Sequence, residues 1–281
     1  MHTNPKDLIP ALDELGFVVE EELATVLFLL LQLEKPLLLE GPPGVGKTQV
    51  AYLLSRYLGH DLIRLQCYEG LDVNNAIYEW NYQKQLLAIK IHEQSDISEK
   101  EKEALIFSEE YLLKRPLLEA ISSPKRKILL IDEIDRADEE FEAFLLELLS
   151  DFQISIPELG TIKAVERPIV ILTSNRTREL SDALKRRCLY HWVNYPDRDK
   201  EIKIIQKHIP NIEAELAEQL ADYVQQIRQL KLDKSPGIAE TIDWARGIAT
   251  LNGTDNAIYH SLACLLKSDH DIKLVSQEVF G

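Results

Sequence analysis

The stretch Gly41-Pro-Pro-Gly-Val-Gly-Lys-Thr48 sets three glycines, two prolines and a lysine between a short apolar run, Leu37 to Leu39, and the helix-patterned segment QVAYLLSRYLG. Its spacing fits G-x-x-x-x-G-K-[ST], with a strand before it and a helix after it, as that motif requires. Such a turn wraps backbone around a polyphosphate so that several N–H groups point inward. A Cβ at those positions would stand between donor and oxygen. The helix starting near Lys47 adds its positive end, Lys47 can reach the terminal phosphates, and the Thr48 hydroxyl can ligate Mg²⁺. The alternative is a Gly/Pro turn that fits by accident, which background glycine frequencies put on the order of one per cent in a chain this long. The candidate nucleotide-binding residues are therefore Gly41, Pro42, Pro43, Gly44, Val45, Gly46, Lys47, Thr48 and Gln49. The ligand class is a nucleoside triphosphate.

The loop implies a sheet, and the pattern along the chain supplies one. Leu37 to Leu39, Leu62 to Gln66, Ile128 to Ile131, Ile169 to Thr173 and Leu189 to Val193 read as five short strands alternating with helical patterns. This predicts an α/β fold, a parallel five-stranded sheet flanked by helices. About sixty residues separate the second strand from the third, too many for one crossover, and both NNAIYEWNYQKQLL and SEKEKEALIFSEEYLLKRPLLEAI read as helical. Residues 68–122 are thus an inserted helical elaboration, with Ser98 and Glu101 in capping-box register. After Tyr195 the strand pattern stops. Ile212, Leu216, Leu220, Val224 and Ile227 recur at helical steps, and further helices are expected over Ile238 to Leu251, closed by Asn252-Gly253, and Asp255 to Lys267. The expected domains are 1–195, α/β and nucleotide-binding, and 196–281, a small all-helical lid.

Two further segments carry chemistry. KILLIDEIDRAD is a buried strand ending in Asp132 and Glu133. Beside a phosphate loop, one such acid holds the Mg²⁺ shell and its neighbour activates water, so Asp132 takes the metal role, with Thr48, and Glu133 the base role. Paired acids after a strand also serve as helix N-caps. IVILTSNRTREL ends a strand in Thr173, Ser174 and Asn175, whose side chains can bond a γ-phosphate oxygen or the attacking water. Lys185, Arg186 and Arg187 end a short helix; they either complement its C-terminus or place a planar cation on a transferring phosphoryl group.

Composition narrows the partners. A formal net charge of −15 argues against broad capture of nucleic acid or an anionic membrane. The best apolar run, Leu23 to Leu33, is too short to span a bilayer and is flanked by glutamates. Cys67, Cys188 and Cys264 are far apart and read as reduced thiols of a cytoplasmic protein, and the seven histidines form no ligand cluster by spacing. Trp80, Trp192 and Trp244 read as packing residues.

Taken in order and spacing, Gly41 to Thr48, Ile128 to Glu133, Asn175 and Arg186/Arg187 resemble the Walker A, Walker B, sensor 1 and arginine-finger elements of an AAA+ ATPase. Within that superfamily the chain resembles the MoxR group, whose DEINRA is close to DEIDRA here, and whose helix and hairpin before sensor 1 resemble FLLELLSDFQISIPELGTIKA, placing a hairpin at about 153–163. LQCYEGLDVNNAIYEWNYQKQLL and LSDALKRRCLYHWVNYPDR resemble its CoxD-like branch more closely still. The resemblance implies ATP and Mg²⁺ as cofactors and a homo-oligomeric, usually hexameric, ring with Arg186 and Arg187 acting on a neighbour's ATP, Arg187 being the better match by position. It also implies a chaperone role in maturing or inserting the metal cofactor of a partner metalloenzyme, alongside a von Willebrand factor A domain protein. Membrane insertion and nucleic-acid partners are not expected. The rivals are a nucleic-acid motor or loader on the same fold, a P-loop small-molecule kinase, and a nucleotide-gated scaffold with little turnover. One position departs from the family: an arginine expected after Ser-Pro is Gly237, with Arg246 further along the same helix.

Overall fold

The computed structural model describes residues 4–92, 98–157, 159–251 and 256–280. Its elements run α1 (Leu8–Glu14), α2 (Glu21–Leu33), β1 (Leu37–Glu40), α3 (Lys47–Leu58), β2 (Leu62–Gln66), α4 (Val73–Ile77), β3 (Tyr78–Trp80), α5 (Tyr82–His92), α6 (Glu99–Ile106), β4 (Leu112–Lys114) and α7 (Pro116–Ser122). They continue with β5 (Ile128–Asp132), α8 (Glu139–Asp151), β6 (Gln153–Ile156), β7 (Gly160–Lys163), β8 (Ile169–Ser174), α9 (Asp182–Lys185), β9 (Leu189–Trp192), α10 (Arg198–His208), α11 (Ala214–Gln229), α12 (Ile238–Thr250), α13 (Ala257–His260), α14 (Leu262–Leu265) and α15 (Asp269–Glu278). The chain divides into two compact units: Thr25–Glu40 with Val50–His191, and the segment up to Ala24 with Gly41–Gln49 and everything from Trp192 onward.

The first unit holds a five-stranded sheet in the order β2-β5-β8-β1-β9. β5 pairs in parallel with β2 and β8, and β8 in parallel with β1, with Leu129 opposite Val170 and Leu39 opposite Thr173. Every residue of β1, β5 and β8 is buried, whereas β2, at the edge, alternates buried and exposed. Continuous apolar runs are what a sheet covered on both faces demands. The five strands match the sequence expectation to within a residue at each end. The α/β fold is as expected.

The segment between β2 and β5 departs from its helical reading. Within it β3 and β4 form an antiparallel pair, Tyr78 opposite Lys114 and Trp80 opposite Leu112. Three residues are too few to show alternation against the helices on either side, and the pair is held by burying the Trp80 ring. The capping box expected at α6 is present: the Glu101 carboxylate accepts from Ser98 N–H at 2.9 Å, and Glu101 N–H donates to Ser98 Oγ at 3.4 Å. β6 and β7 form a second antiparallel pair, Gln153 opposite Lys163 and Ile156 opposite Gly160, with Glu158 outside the described residues.

The second unit is built on α10 to α15. Ala217, Leu220, Ala221, Val224 and Ile227 of α11 bury one face against Trp244, Ala245 and Ile248 of α12. Trp244 is fully buried and its indole N–H donates to Ile258 O at 3.3 Å. The single helix expected over Asp255 to Lys267 is instead two short ones; Asn252, Gly253 and Asp255 lie outside the described residues. Ser261 stands at the break, its hydroxyl donating to Ala257 O at 2.7 Å and Ile258 O at 3.1 Å, a side-chain bond that competes with helix continuation. Among the described residues no helix is long and apolar enough to cross a membrane.

Candidate active site

The loop between β1 and α3 adopts the backbone that glycine permits. Gly44 has φ +80°. A Cβ on Gly41 would lie 2.1 Å from Val193 O, so the residue there has no room for a side chain. Lys47 is buried, and its ammonium donates to Gly41 O at 2.8 Å and Pro42 O at 2.7 Å, closing the loop on itself. Thr48 is half-buried at the first turn of α3.

The helical segment of the same unit sits directly on this loop. Gly237, at the N-terminus of α12, faces Gly44: a Cβ on Gly237 would fall 2.7 Å from Gly44 Cα and 2.8 Å from its carbonyl oxygen. Ile238 N–H donates to Gly44 O at 2.9 Å, and Tyr195 Oη donates to Pro43 O at 3.4 Å. The Glu240 carboxylate accepts from Gly237 N–H at 3.1 Å. Behind them Arg228 donates to Pro236 O at 3.0 Å, lies over the Tyr195 ring at 4.7 Å, and forks onto the fully buried Glu201 at 2.5 and 3.1 Å. Arg246 lies on the surface, 3.9 Å from Asp243.

In the sheet unit the residues after β5 and β8 meet. Asp132 is 2% exposed. Its Oδ1 accepts from Thr173 Oγ1 at 2.5 Å, and that hydroxyl accepts in turn from Glu133 N–H at 2.9 Å. Glu133 turns through a left-handed backbone, φ +55°, which directs its side chain away from the strand register. Its Oε1 lies 3.4 Å from Asn175 Nδ2 and its Oε2 2.8 Å from Arg136 Nε. Asp132, Glu133 and Asn175 are thus brought together, as the sequence pairs them. Thr173 and Ser174 are buried and bonded internally, Ser174 Oγ accepting from Arg176 N–H at 3.0 Å, so both are structural.

Three residues here escaped the sequence reading. Asp135 is buried and accepts from Asn175 N–H at 3.2 Å, Thr177 N–H at 2.9 Å and Thr177 Oγ1 at 2.7 Å, fixing the loop that carries Asn175. Burial works against its charge, but the bonds from Thr177 and Asn175 outweigh it and hold the carboxyl below the ordinary aspartate range. Arg136 holds Glu133, and Arg64 donates to Asp132 Oδ2 through Nε at 3.0 Å and Nη2 at 2.5 Å. The phrase DEIDRA and the polar alternation of LIRLQ were the available signals. Cys67, beside these carboxylates, is pushed up to about 12, by burial first and by Asp132, Asp135 and Glu133 next, so its thiol stays protonated.

Of the two arginines, Arg187 donates from Nε to Ser150 Oγ at 2.5 Å and from Nη1 to Ala183 O at 2.8 Å, whereas Arg186 is exposed at the end of α9.

The AAA domain family, in its dynein-related subfamily, matches residues 36–188, from the residue before β1 to the residue before β9. The chain belongs to this family of ATPase domains. The chain is 24% identical over 241 residues to the gas vesicle ATPase GvpN of Haloferax mediterranei, covering 81% of this chain and 66% of that protein, so it spans just under two thirds of that relative. It is 25% identical over 254 residues to an uncharacterised protein of Staphylococcus epidermidis, covering 86% of this chain and 88% of that one. Among solved structures it is similar to two variants of Thermotoga maritima RuvB. One has TM-score 0.59 at 19% identity, covering 96% of this chain and 79% of that one; the other has TM-score 0.54 at 17%, covering 87% and 69%. At these identities the likeness is one of fold.

Outside the AAA elements, Asp233, His270 and Asp271 bring ligand atoms within 4.8 Å of one another, a grouping the histidine spacing did not suggest. Asp271 already accepts from Asp233 N–H at 2.9 Å and Lys234 N–H at 3.2 Å, so it fastens the loop before α12.

Proposed function

We propose that the chain is an Mg²⁺-dependent ATPase of the MoxR type, in its CoxD-like branch, that works as a ring of identical subunits. Gly41 to Gln49 bind the triphosphate through backbone N–H groups, and Lys47 leaves its loop carbonyls for the terminal phosphates. Asp132 and Thr48 offer hard oxygen donors, the chemistry Mg²⁺ selects, and would hold the ion. When bound, it neutralises charge on the β- and γ-phosphate oxygens. Glu133 accepts a proton from the attacking water while Asn175 orients that water. The water oxygen bonds the γ-phosphorus as the bond from that phosphorus to the bridging oxygen breaks, giving inorganic phosphate, and ADP leaves with the electron pair. Of the pair Arg186 and Arg187, the exposed Arg186 acts on the ATP of a neighbouring subunit, while Arg187 holds the end of α9 that carries it.

The observation that carries this reading is the group at the ends of β5 and β8: a carboxylate at 3.4 Å from Asn175, one residue beyond a second carboxylate clamped by Thr173. The client is a metalloenzyme whose cofactor is matured or inserted with the help of a von Willebrand factor A domain protein, a reading supported by the sequence resemblance alone.

Glu133→Gln is the direct test. ATP binding should be retained, measured calorimetrically, and phosphate release should fall at least about a hundredfold, the usual contribution of a positioned general base. Turnover equal to that of the unaltered protein removes Glu133 from the base role.

A further inference from the structure

Asp132 carries a counter-charge supplied by the chain itself. Its Oδ1 is committed to Thr173 and its Oδ2 receives two N–H groups of one guanidinium, Arg64 Nε and Nη2. Arg64 stands on the polar face of β2 with Gln66, whose Oε1 also accepts from Nη2. The Arg64 side chain is 43% exposed while the carboxylate it grips is buried, so the cation reaches inward from the sheet edge.

Pairing of β2 with β5 does not require this grip. The backbone ladder already runs the length of both strands, Gln66 opposite Asp132, and continues past them with Cys67 N–H donating to Asp132 O at 2.8 Å. What the pair does is place a fixed positive charge on an oxygen that a divalent cation would need. A hard dication and a guanidinium repel each other, and two cations do not share one carboxylate oxygen at full strength.

We propose that Arg64 is a resident counter-cation of Asp132, which holds this carboxylate oriented and charge-balanced while no nucleotide is bound and excludes a bare divalent ion, so that the metal enters only together with the phosphates. The proposal rests on Asp132 being the metal-holding carboxylate. Arg64 is on this account a positioning residue, because it acts through Asp132.

The test uses the full chain without nucleotide and Mn²⁺ as a spectroscopically visible hard dication, its free concentration read by electron paramagnetic resonance. Arg64→Gln should bind Mn²⁺ at least about tenfold more tightly than the unaltered protein, a modest share of what one unit charge at this separation exerts. Arg64→Lys, which keeps a charge but loses the fork, should fall between them, and adding Asp132→Asn to Arg64→Gln should abolish the gain. Arg64→Gln should also melt lower than the unaltered protein without metal and recover in Mn²⁺. Equal Mn²⁺ affinity in Arg64→Gln and the unaltered protein overturns the proposal. So does a lowered melting temperature that Mn²⁺ does not restore, the signature of a merely structural ion pair. Should Arg64→Gln be unfolded without metal, folding on Mn²⁺ addition supports the proposal and persistent unfolding overturns it. Asp132→Asn alone, titrated with Mn²⁺ and ATP together, separates the two levels: unchanged metal-nucleotide affinity there removes Asp132 from the metal site and the Arg64 proposal with it.

Discussion

Asp132 and Asp135 stand three residues apart and are both buried, yet their partners differ in kind. Asp132 meets a hydroxyl and a guanidinium, while Asp135 meets only uncharged donors, from Thr177 and Asn175. A carboxylate satisfied by N–H and O–H groups of the loop it fastens is a brace for that loop. Its loss should be felt first in the position of Asn175. Asp135→Asn should lower stability at pH 7 by about 1.5–3 kcal/mol, the range for hydrogen bonds to a charged group. The pH dependence follows from the sign of the shift. The folded carboxyl titrates below the unfolded one, so the stabilisation is fully present above the unfolded value of about 4 and is lost as pH falls through the lower folded value. Urea unfolding of both proteins should therefore show curves that separate at neutral pH and converge in acid. A difference that does not change with pH would assign the effect to packing instead. The brace was half legible: the acids of DEIDRA are plain in the sequence, but nothing in that stretch says that its third carboxylate bonds a loop forty residues on.

At the scale of elements, α12 begins where the phosphate loop turns. Gly237 has φ −87°, which any residue adopts, so the demand for glycine there is one of space rather than of backbone. A methyl group at this place meets the Gly44 backbone on two atoms under 3 Å. Gly237→Ala should push the start of α12 off the loop, break the Ile238 N–H bond to Gly44 O, and lower stability by about 1–3 kcal/mol, the range for overpacking a close contact. Thermal unfolding checks the first effect, and calorimetric ATP affinity should fall with it because the loop loses its brace. Unchanged values of both would show that the two backbones separate at no cost. In the sequence the glycine registers as a missing arginine, since a pattern of letters shows what a position lacks and not what it touches. The same holds for Arg228, whose fork onto buried Glu201 anchors the turn before α12 though it reads as one more polar residue of α11. Removing one partner leaves a buried charge uncompensated, so Glu201→Gln should destabilise the protein by about 3–5 kcal/mol in the same unfolding assay. The strands, by contrast, were readable because β1, β5 and β8 are buried without interruption, and the three-residue ladder of β3 with β4 was not, because so short a pairing leaves no period.

For the whole molecule, the proposal of a ring turns on where an arginine's charge is directed. Arg187 is the better match by position to the family's finger, but two of its guanidinium nitrogens, Nε and Nη1, are engaged at Ser150 and Ala183 in its own unit. Arg186, one residue earlier, is exposed at the C-terminal cap of α9, where side chains of the last turn leave the helix. Exposure favours Arg186 as the residue that reaches a neighbour, with Arg187 holding the α9 end against α8. A cation acting in trans can be told from one acting in cis by mixing. Arg186→Ala and Glu133→Gln should each be nearly inactive alone, the first because its neighbours lack the cation and the second because its own site lacks the base. In a mixed ring an interface works wherever a subunit with intact Glu133 meets a subunit with intact Arg186. Equal, random mixing of the two variants therefore restores about a quarter of the unaltered turnover, by the geometry of head-to-tail contacts in a closed ring. Arg187→Ala, which loosens α9 but keeps the exposed cation, should by itself retain more turnover than Arg186→Ala. Recovery with Arg187→Ala and not with Arg186→Ala would transfer the trans role to Arg187, and absence of recovery with either would mean that each subunit completes its own site.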